Sequence, residues 1–286
     1  MARPTEVPVN EREIARITSV YKNAYAGVLD SILKSPLLNN FHRTQVLAQI
    51  KEILKELGHE TQDFTDGFIK ARYESGFQDA TTELSNMGLL NKTGFSLIHK
   101  EAVSALVSET QMAFGESISG VYRSATNLLS QAVKEQIKAR LAEGTITGET
   151  RKKISDTIKA TLLDEGMSAL VDKGGKQWTL DRYAEMLVRT KAVEARNTAL
   201  ANRMLENGYD LVEVSDHHSK HKSCADWEGK ILSLTGSTPG YPTLDQAKKA
   251  GLFHPNCKHA INVIHFDLAA QTSAYSSRSL TYSNPQ

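Results

Sequence analysis

Between Ser96 and Leu141 the apolar residues Val103, Leu106, Val107, Met112, Ile118, Val121, Tyr122, Leu128, Leu129, Val133, Ile137 and Leu141 recur at three- and four-residue steps. That period places them on one face of a helix. A helix spanning the whole run exceeds the ordinary globular range. It points to an elongated helical body or a bundle rather than a compact sphere, with Gly115 and Gly120 marking a kink or break.

The same period recurs on either side. Ile14, Ile17, Tyr21, Tyr25, Val28, Leu29 and Ile32 predict a helix from Glu11, after a Pro4- and Pro8-containing arm over residues 1–10. Pro36 and Asn39-Asn40 interrupt. A second helix is expected from Arg43 to Leu57, stopped by Gly58, and a third from Gln62 to Asn86, weakened by Gly67 and Gly76. Residues 144–148 read as a loop, 149–164 as a helix and 166–178 as a connection. Thr179 is placed to cap a helix running to 207, with Tyr183, Leu187, Thr190, Val193, Asn197, Leu200 and Met204 inward.

After Gly208 the texture changes. LVEVS alternates like a strand, ILSL fits its hairpin partner, and AINVIHF is a further strand. Thr243 and Gln246 have capping-box spacing at the head of a short helix ending at Gly251. The expected architecture is mainly α with a small C-terminal α+β module. An arm over 1–10 and a helical body over 11–178 precede a module over 179–268, made of the helix 179–207 and an α+β unit over 209–268. A Ser/Thr-rich tail over 269–286 is expected to be disordered.

Composition narrows the function. Formal net charge is +1 and 40% of residues are hydrophobic, so no global charge imbalance argues for nucleic acid or a membrane surface. The N-terminal residues lack the apolar stretch of a secretory signal, and no run suggests a membrane span. A soluble protein made in a reducing cytosol is expected. The Walker, H-E-x-x-H and G-x-S-x-G signatures are absent. Lys134, Lys138, Arg140, Arg151, Lys152, Lys153 and Lys159 interleave with Glu135, Glu143, Glu149 and Asp156, the pattern of a solvated helix face rather than a phosphate-binding stripe.

Two short stretches, DHHSKHKSCADW and GLFHPNCKHAINVI, hold both cysteines and five of the nine histidines. Zinc takes four thiolate or imidazole ligands in a closed tetrahedral site, and a module this small gains from such a staple. The expected ligands are Cys224, His254, Cys257, His259 and, from the upstream group, His218. Trp227 stands where a C-x-x-C pair would put its second thiol, so this is no standard finger. Three other readings stay open: ordinary surface or core residues, a Cys224–Cys257 disulfide, and a catalytic Cys–His pair drawn from Asp216, His217, His218, Cys224 and His254. The basic HHSKHK run at 217–222 also admits a contact with DNA.

The segment from about 180 to 265 resembles the C-terminal region of phage minor capsid (minor head) proteins, a group that includes the head-morphogenesis proteins related to the F protein of phage Mu. Several residues carry the resemblance together. Arg189-Thr190 opens a helix ending in Asn and Gly, and V-E-V-S leads into Cys224, Ala225, Trp227, Gly229 and Lys230. The run from Gly251 to His259 closes the segment. The family's R-T-E is Arg189-Thr190-Lys191 here, and its C-x-x-C and C-R-C are replaced in part by Trp227 and His259. The resemblance implies a non-enzymatic structural protein of the virion, made in the host bacterial cytoplasm and placed at the portal vertex. Its implied work is head morphogenesis, with DNA packaging or ejection. Implied partners are the portal protein and the major capsid or scaffolding protein, with an accessory contact to phage DNA and self-association through the helical body. The competing expectations are a phage-delivered hydrolase or nuclease-like toxin and a DNA-binding adaptor.

Overall fold

The computed structural model describes residues 10–33, 40–129, 170–171, 177–219 and 221–264, together with residues 139 and 175. The expected arm, apart from Asn10, lies outside the described residues. So do the Pro36 break, the helix beyond Leu129, the 144–148 loop, the 149–164 helix, the 134–159 basic run and the tail. Among the described residues the fold is mainly α, with a small strand-containing C-terminal module. No helix there is long and apolar enough to cross a membrane.

Helix α1 (Glu11–Leu33) buries the seven residues expected of it. Helix α2 runs without interruption from Asn40 to Asn86, so the two helices expected on either side of Gly58 are one. The reason lies in its inner stripe, Val46, Ile50, Leu54, Leu57, Thr61, Thr65, Phe68, Ile69, Tyr73 and Phe77, which keeps its period straight through the glycine. Two of those positions are threonines, which hide the stripe from a purely apolar reading. Thr61 is buried because its hydroxyl is satisfied locally, donating to Leu57 O at 2.6 Å and pairing with Tyr21 Oη at 2.9 Å. Gly58 terminates nothing because no left-handed residue or proline follows to turn the chain.

Helix α3 (Leu97–Leu128) passes through Gly115 and Gly120 without a break. Its buried stripe is Leu106, Thr110, Phe114, Ser117, Val121, Ala125 and Leu128. Met112, expected inside, is 64% exposed, because the polar Thr110 and Ser117 take the inward positions instead. Ser117 does so by donating its hydroxyl to Phe114 O at 2.7 Å.

The chain forms two compact units, each assembled from separate stretches. One holds residues 11–64 and 110–185. There Tyr21 stacks at 5.3 Å from Phe114, and Arg43 donates to Thr126 O. The expected connection over 166–178 contains a two-residue antiparallel ladder, β1 (Leu170–Val171) with β2 (Gln177–Trp178).

The other unit takes its described residues from Asn10, 65–109 and 186–264, residue 220 apart. Helix α4 (Leu180–Glu206) supplies its centre and is buried well beyond one stripe, with Ala192, Ala195, Ala199, Arg196 and Arg203 all enclosed. Gly76 of α2 lets α4 come close: a Cβ there would sit 2.2 Å from Arg196 O. The Arg196 guanidinium binds Asp79 at 2.9 Å and donates to Ile261 O at 3.2 Å, tying α2, α4 and the sheet together. Arg203 donates to Thr81, Gly94 O and Glu206, and Glu206 also meets the buried His99.

Three strands complete the unit, β3 (Leu211–Val214), β4 (Ile231–Ser233) and β5 (Ile261–Val263), in the order β4-β3-β5 and antiparallel throughout. The expected hairpin is present, with Val212 opposite Leu232 on one side and Val263 on the other. Helix α5 (Lys222–Ala225) follows β3, and α6 (Leu244–Lys249) follows β4. Thr243 caps α6 with both arms of the capping box closed. The core joins Val212, Val214, Trp227, Leu232 and Leu252 to Leu200 and Met204 of α4 and to Ala80 and Leu84 of α2. Each Val, Leu or Met among them contributes roughly 1.5–3 kcal/mol when fully buried.

Candidate metal centre

The two Cys/His stretches converge. Strand β3 leads into residues 215–219, and α5 turns the Cys224 thiol into the core. On the other side Gly251 adopts φ 102°, a conformation only glycine takes freely, and starts the loop back toward β5. Phe253 and Asn256 also have positive φ, at 61° and 64°. The tight turn between them is closed by Cys257 N donating to His254 O at 2.8 Å.

Cys224 Sγ and Cys257 Sγ are 3.7 Å apart, and His259 Nδ1 is 3.2 Å from Cys257 Sγ. All three residues are buried. The other ring nitrogen of His259 meets Glu228 Oε1 at 2.7 Å. Glu228 is held in turn by the backbone N–H groups of His217 at 3.1 Å and Ser219 at 2.9 Å. His217 packs edge-on against His259, with its Nε2 2.8 Å from the Ser215 hydroxyl.

Cys224 belongs to a second group as well, with His221 and His254, whose ligand atoms all lie within 4.8 Å of one another. His254 Nδ1 meets Pro255 O at 2.8 Å and His221 Nδ1 meets the Ser223 hydroxyl at 2.8 Å, which leaves Nε2 of each ring for another partner. Of the five residues expected from sequence, Cys224, Cys257 and His259 form one group, while His254 joins Cys224 only in the second group, with His221. His218 stands apart, 93% exposed and 3.1 Å from Asp216. The upstream imidazole grouped with Cys224 is His221, which is exposed. Glu228 was not among the expected residues. Its signal was a carboxylate four positions after Cys224, in a turn beside the histidine-rich loop.

Electrostatics follow this geometry. Burial, then the charge of Cys257, push the Cys224 thiol up to about 12. Burial would raise Cys257 too, but hydrogen bonds and charge from His259 outweigh it and hold that thiol below its ordinary value. For His259 burial acts downward and is outweighed by Cys257 and Glu228, so the imidazole is raised. Glu228 is lowered: burial opposes this, but His259 and the two backbone donors prevail.

This donor set fits a soft or borderline divalent ion. Zinc–sulfur bonds of about 2.3 Å give a tetrahedral S–S edge of about 3.8 Å, against the 3.7 Å here. An imidazole with its outer nitrogen on a carboxylate is the usual outer support of a metal-binding histidine, and Glu228 occupies that place.

A sequence model described as phage minor capsid protein 2 matches residues 40–275. The chain belongs to that family. This minor capsid protein is also similar to a relative named "Structural protein" from Lactococcus phage LL-H, with 25% identity over 116 residues. That match covers 38% of this chain and 30% of the relative, so the chain spans under a third of that protein's length. No solved structure matches it. The match over 40–275 takes in α2, α3, α4 and the metal-competent module, and leaves out α1.

Proposed function

We propose that this minor capsid protein is a non-enzymatic component of the virion that docks at the portal vertex and acts in head morphogenesis, its C-terminal module clamped by one structural zinc ion. The carrying observation is the buried Cys224–Cys257–His259 group backed by Glu228, within a chain of a capsid family. Cys224, Cys257 and His259 hold the ion, and His254, which stands with Cys224 and His221 in the adjoining group, is the candidate for the fourth position. A closed four-ligand zinc contributes folding free energy and supplies no reaction. The long helices suit docking on other helices, which favours the portal protein as first partner, the major capsid or scaffolding protein and DNA being secondary.

Affinity-tagged protein expressed during infection tests the role. Co-purification with portal protein and recovery in filled heads is the expected result; exclusion from both ends the reading. Elemental analysis of purified protein is expected to return about one zinc per chain.

A second reading rests on one observation, the thiol–imidazole–carboxylate order of Cys257, His259 and Glu228. Without metal, that order is what an activated thiol nucleophile uses, and it would make the module a hydrolase. Full zinc occupancy, together with no cleavage of peptide or nucleic-acid substrates before or after chelation, removes it.

A further inference from the structure

The group formed by Cys224, Cys257 and His259 is enclosed, at 0%, 5% and 4% exposure. A hydrated ion reaches such a place only by shedding water on the way, so a metal site needs an entry path as well as ligands. The second group, His221, Cys224 and His254, runs from solvent to that interior. His221 is exposed, His254 half-buried and Cys224 buried, with one ligand atom of each within 4.8 Å of the others. The two groups share Cys224 and no other residue.

Both outer imidazoles are set to receive an ion. Pro255 O can only accept, so His254 Nδ1, 2.8 Å away, carries the ring proton and Nε2 the lone pair. The Ser223 hydroxyl donates to Gly251 O at 3.3 Å and therefore accepts from His221 Nδ1 at 2.8 Å. That ring, too, keeps its lone pair on Nε2. An acceptor on the nitrogen away from the metal is what orients ligand histidines, and Glu228 does the same for His259 in the inner group. The two outer rings stand 4.3 Å apart.

We infer that His221, Cys224 and His254 form an outer station for a divalent cation of the zinc class, occupied on the way to and from the buried position. The inference rests on the zinc reading above. At the station two neutral imidazoles and Cys224 replace water on the ion, and the Cys224 thiol gives its proton to solvent. Passing inward, the ion keeps Cys224, releases His221 and gains Cys257 and His259, whose shared proton leaves in turn. His254 stays with the ion and fills the fourth position. With zinc–sulfur bonds of about 2.3 Å, two positions on one sulfur are at most about 4.6 Å apart. The transfer is thus a ligand exchange pivoting on Cys224, and release retraces it.

The test uses full-length, zinc-loaded protein and follows exchange of its zinc for isotopically enriched zinc by native mass spectrometry. His221→Asn keeps a polar atom for Ser223 and removes the Nε2 ligand. It is expected to exchange about tenfold more slowly than wild type, the scale on which metal sites respond to losing one supporting group. Zinc content and affinity against a competing chelator are expected to stay unchanged, because a station on the path alters entry and exit by the same factor. His218→Ala, in the same histidine-rich stretch but in neither group, is expected to exchange at the wild-type rate. If His221→Asn does not fold, His221→Phe, which keeps a ring against His254, replaces it. Wild-type exchange in the His221 variant overturns the inference. So does a loss of affinity matching the change in exchange, which would make His221 a resident ligand, and so does equal slowing by His218→Ala. Wild-type protein that binds no zinc ends the zinc reading and this inference together, whereas zinc-loaded protein with unaltered exchange in the variant ends the inference alone.

Discussion

Asp210 shows how one carboxylate can fasten a hairpin. It receives the hydroxyls of Ser233, Thr235 and Thr238 and the Thr235 N–H. Burial would raise its pKa, but these donors outweigh burial and hold it down to about 2. An unfolded aspartate titrates near 3.9, so the stabilisation is complete above about pH 4 and is lost as pH falls through about 2. Asp210→Asn should cost about 1–2 kcal/mol at neutral pH and flatten the wild-type decline between pH 4 and 2, as followed by urea denaturation across that range. None of this was legible in sequence, because a Tyr-Asp pair before a strand announces a turn without naming the four donors that fold back on it. The thiols were legible, since their clustering with histidine is a local signal. The choice of His221 over His218 was not: both rings are exposed in one polar stretch, and only the backbone path, with His218 at φ 52°, decides which of them comes beside Cys224.

At the scale of elements, periodicity located α1, α4 and all three strands of the C-terminal sheet, and failed where polar residues occupy buried positions. Thr61 and Thr65 in α2, and Thr110 and Ser117 in α3, are inside because their hydroxyls have partners a sequence does not display. Thr61→Val keeps the shape but strands the Tyr21 hydroxyl, and is expected to destabilise the protein by about 1–3 kcal/mol in thermal denaturation. Gly76 reverses the usual sense of a helical glycine. In isolation Gly76→Ala would favour the helix, yet here the new methyl meets the Arg196 carbonyl, which is backbone and cannot step aside. A net loss of about 1–3 kcal/mol is expected, measurable as a lower Tm, whereas Gly67→Ala, with open space around it, should be neutral or stabilising.

For the molecule as a whole, the zinc reading and the shared core make separable predictions. Chelation is expected to lower the Tm of the unit holding 186–264 and to expose Cys224 and Cys257 to a thiol reagent at near-stoichiometric yield. Retention of both thiols in protected form after complete metal removal would show that packing alone holds the site. A fragment starting at residue 179 should be poorly soluble in either metal state. Its α4 and sheet residues would have lost Ala80, Leu84 and the Asp79 carboxylate that covers Arg196. Supplying residues 65–109 in trans should restore it.

The interleaving of the two units also sets a timetable for synthesis. On the ribosome, residues 65–109 emerge well before the α4 backbone that Gly76 is shaped to receive, and the intervening stretch belongs to the other unit. The side of α2 within residues 65–86 that faces α4 and the sheet stays uncovered until residues 186–264 have been made. Closure of this unit therefore waits on residues 186–264, and a message stalled before them is expected to leave an uncovered apolar helix face instead of a smaller working part.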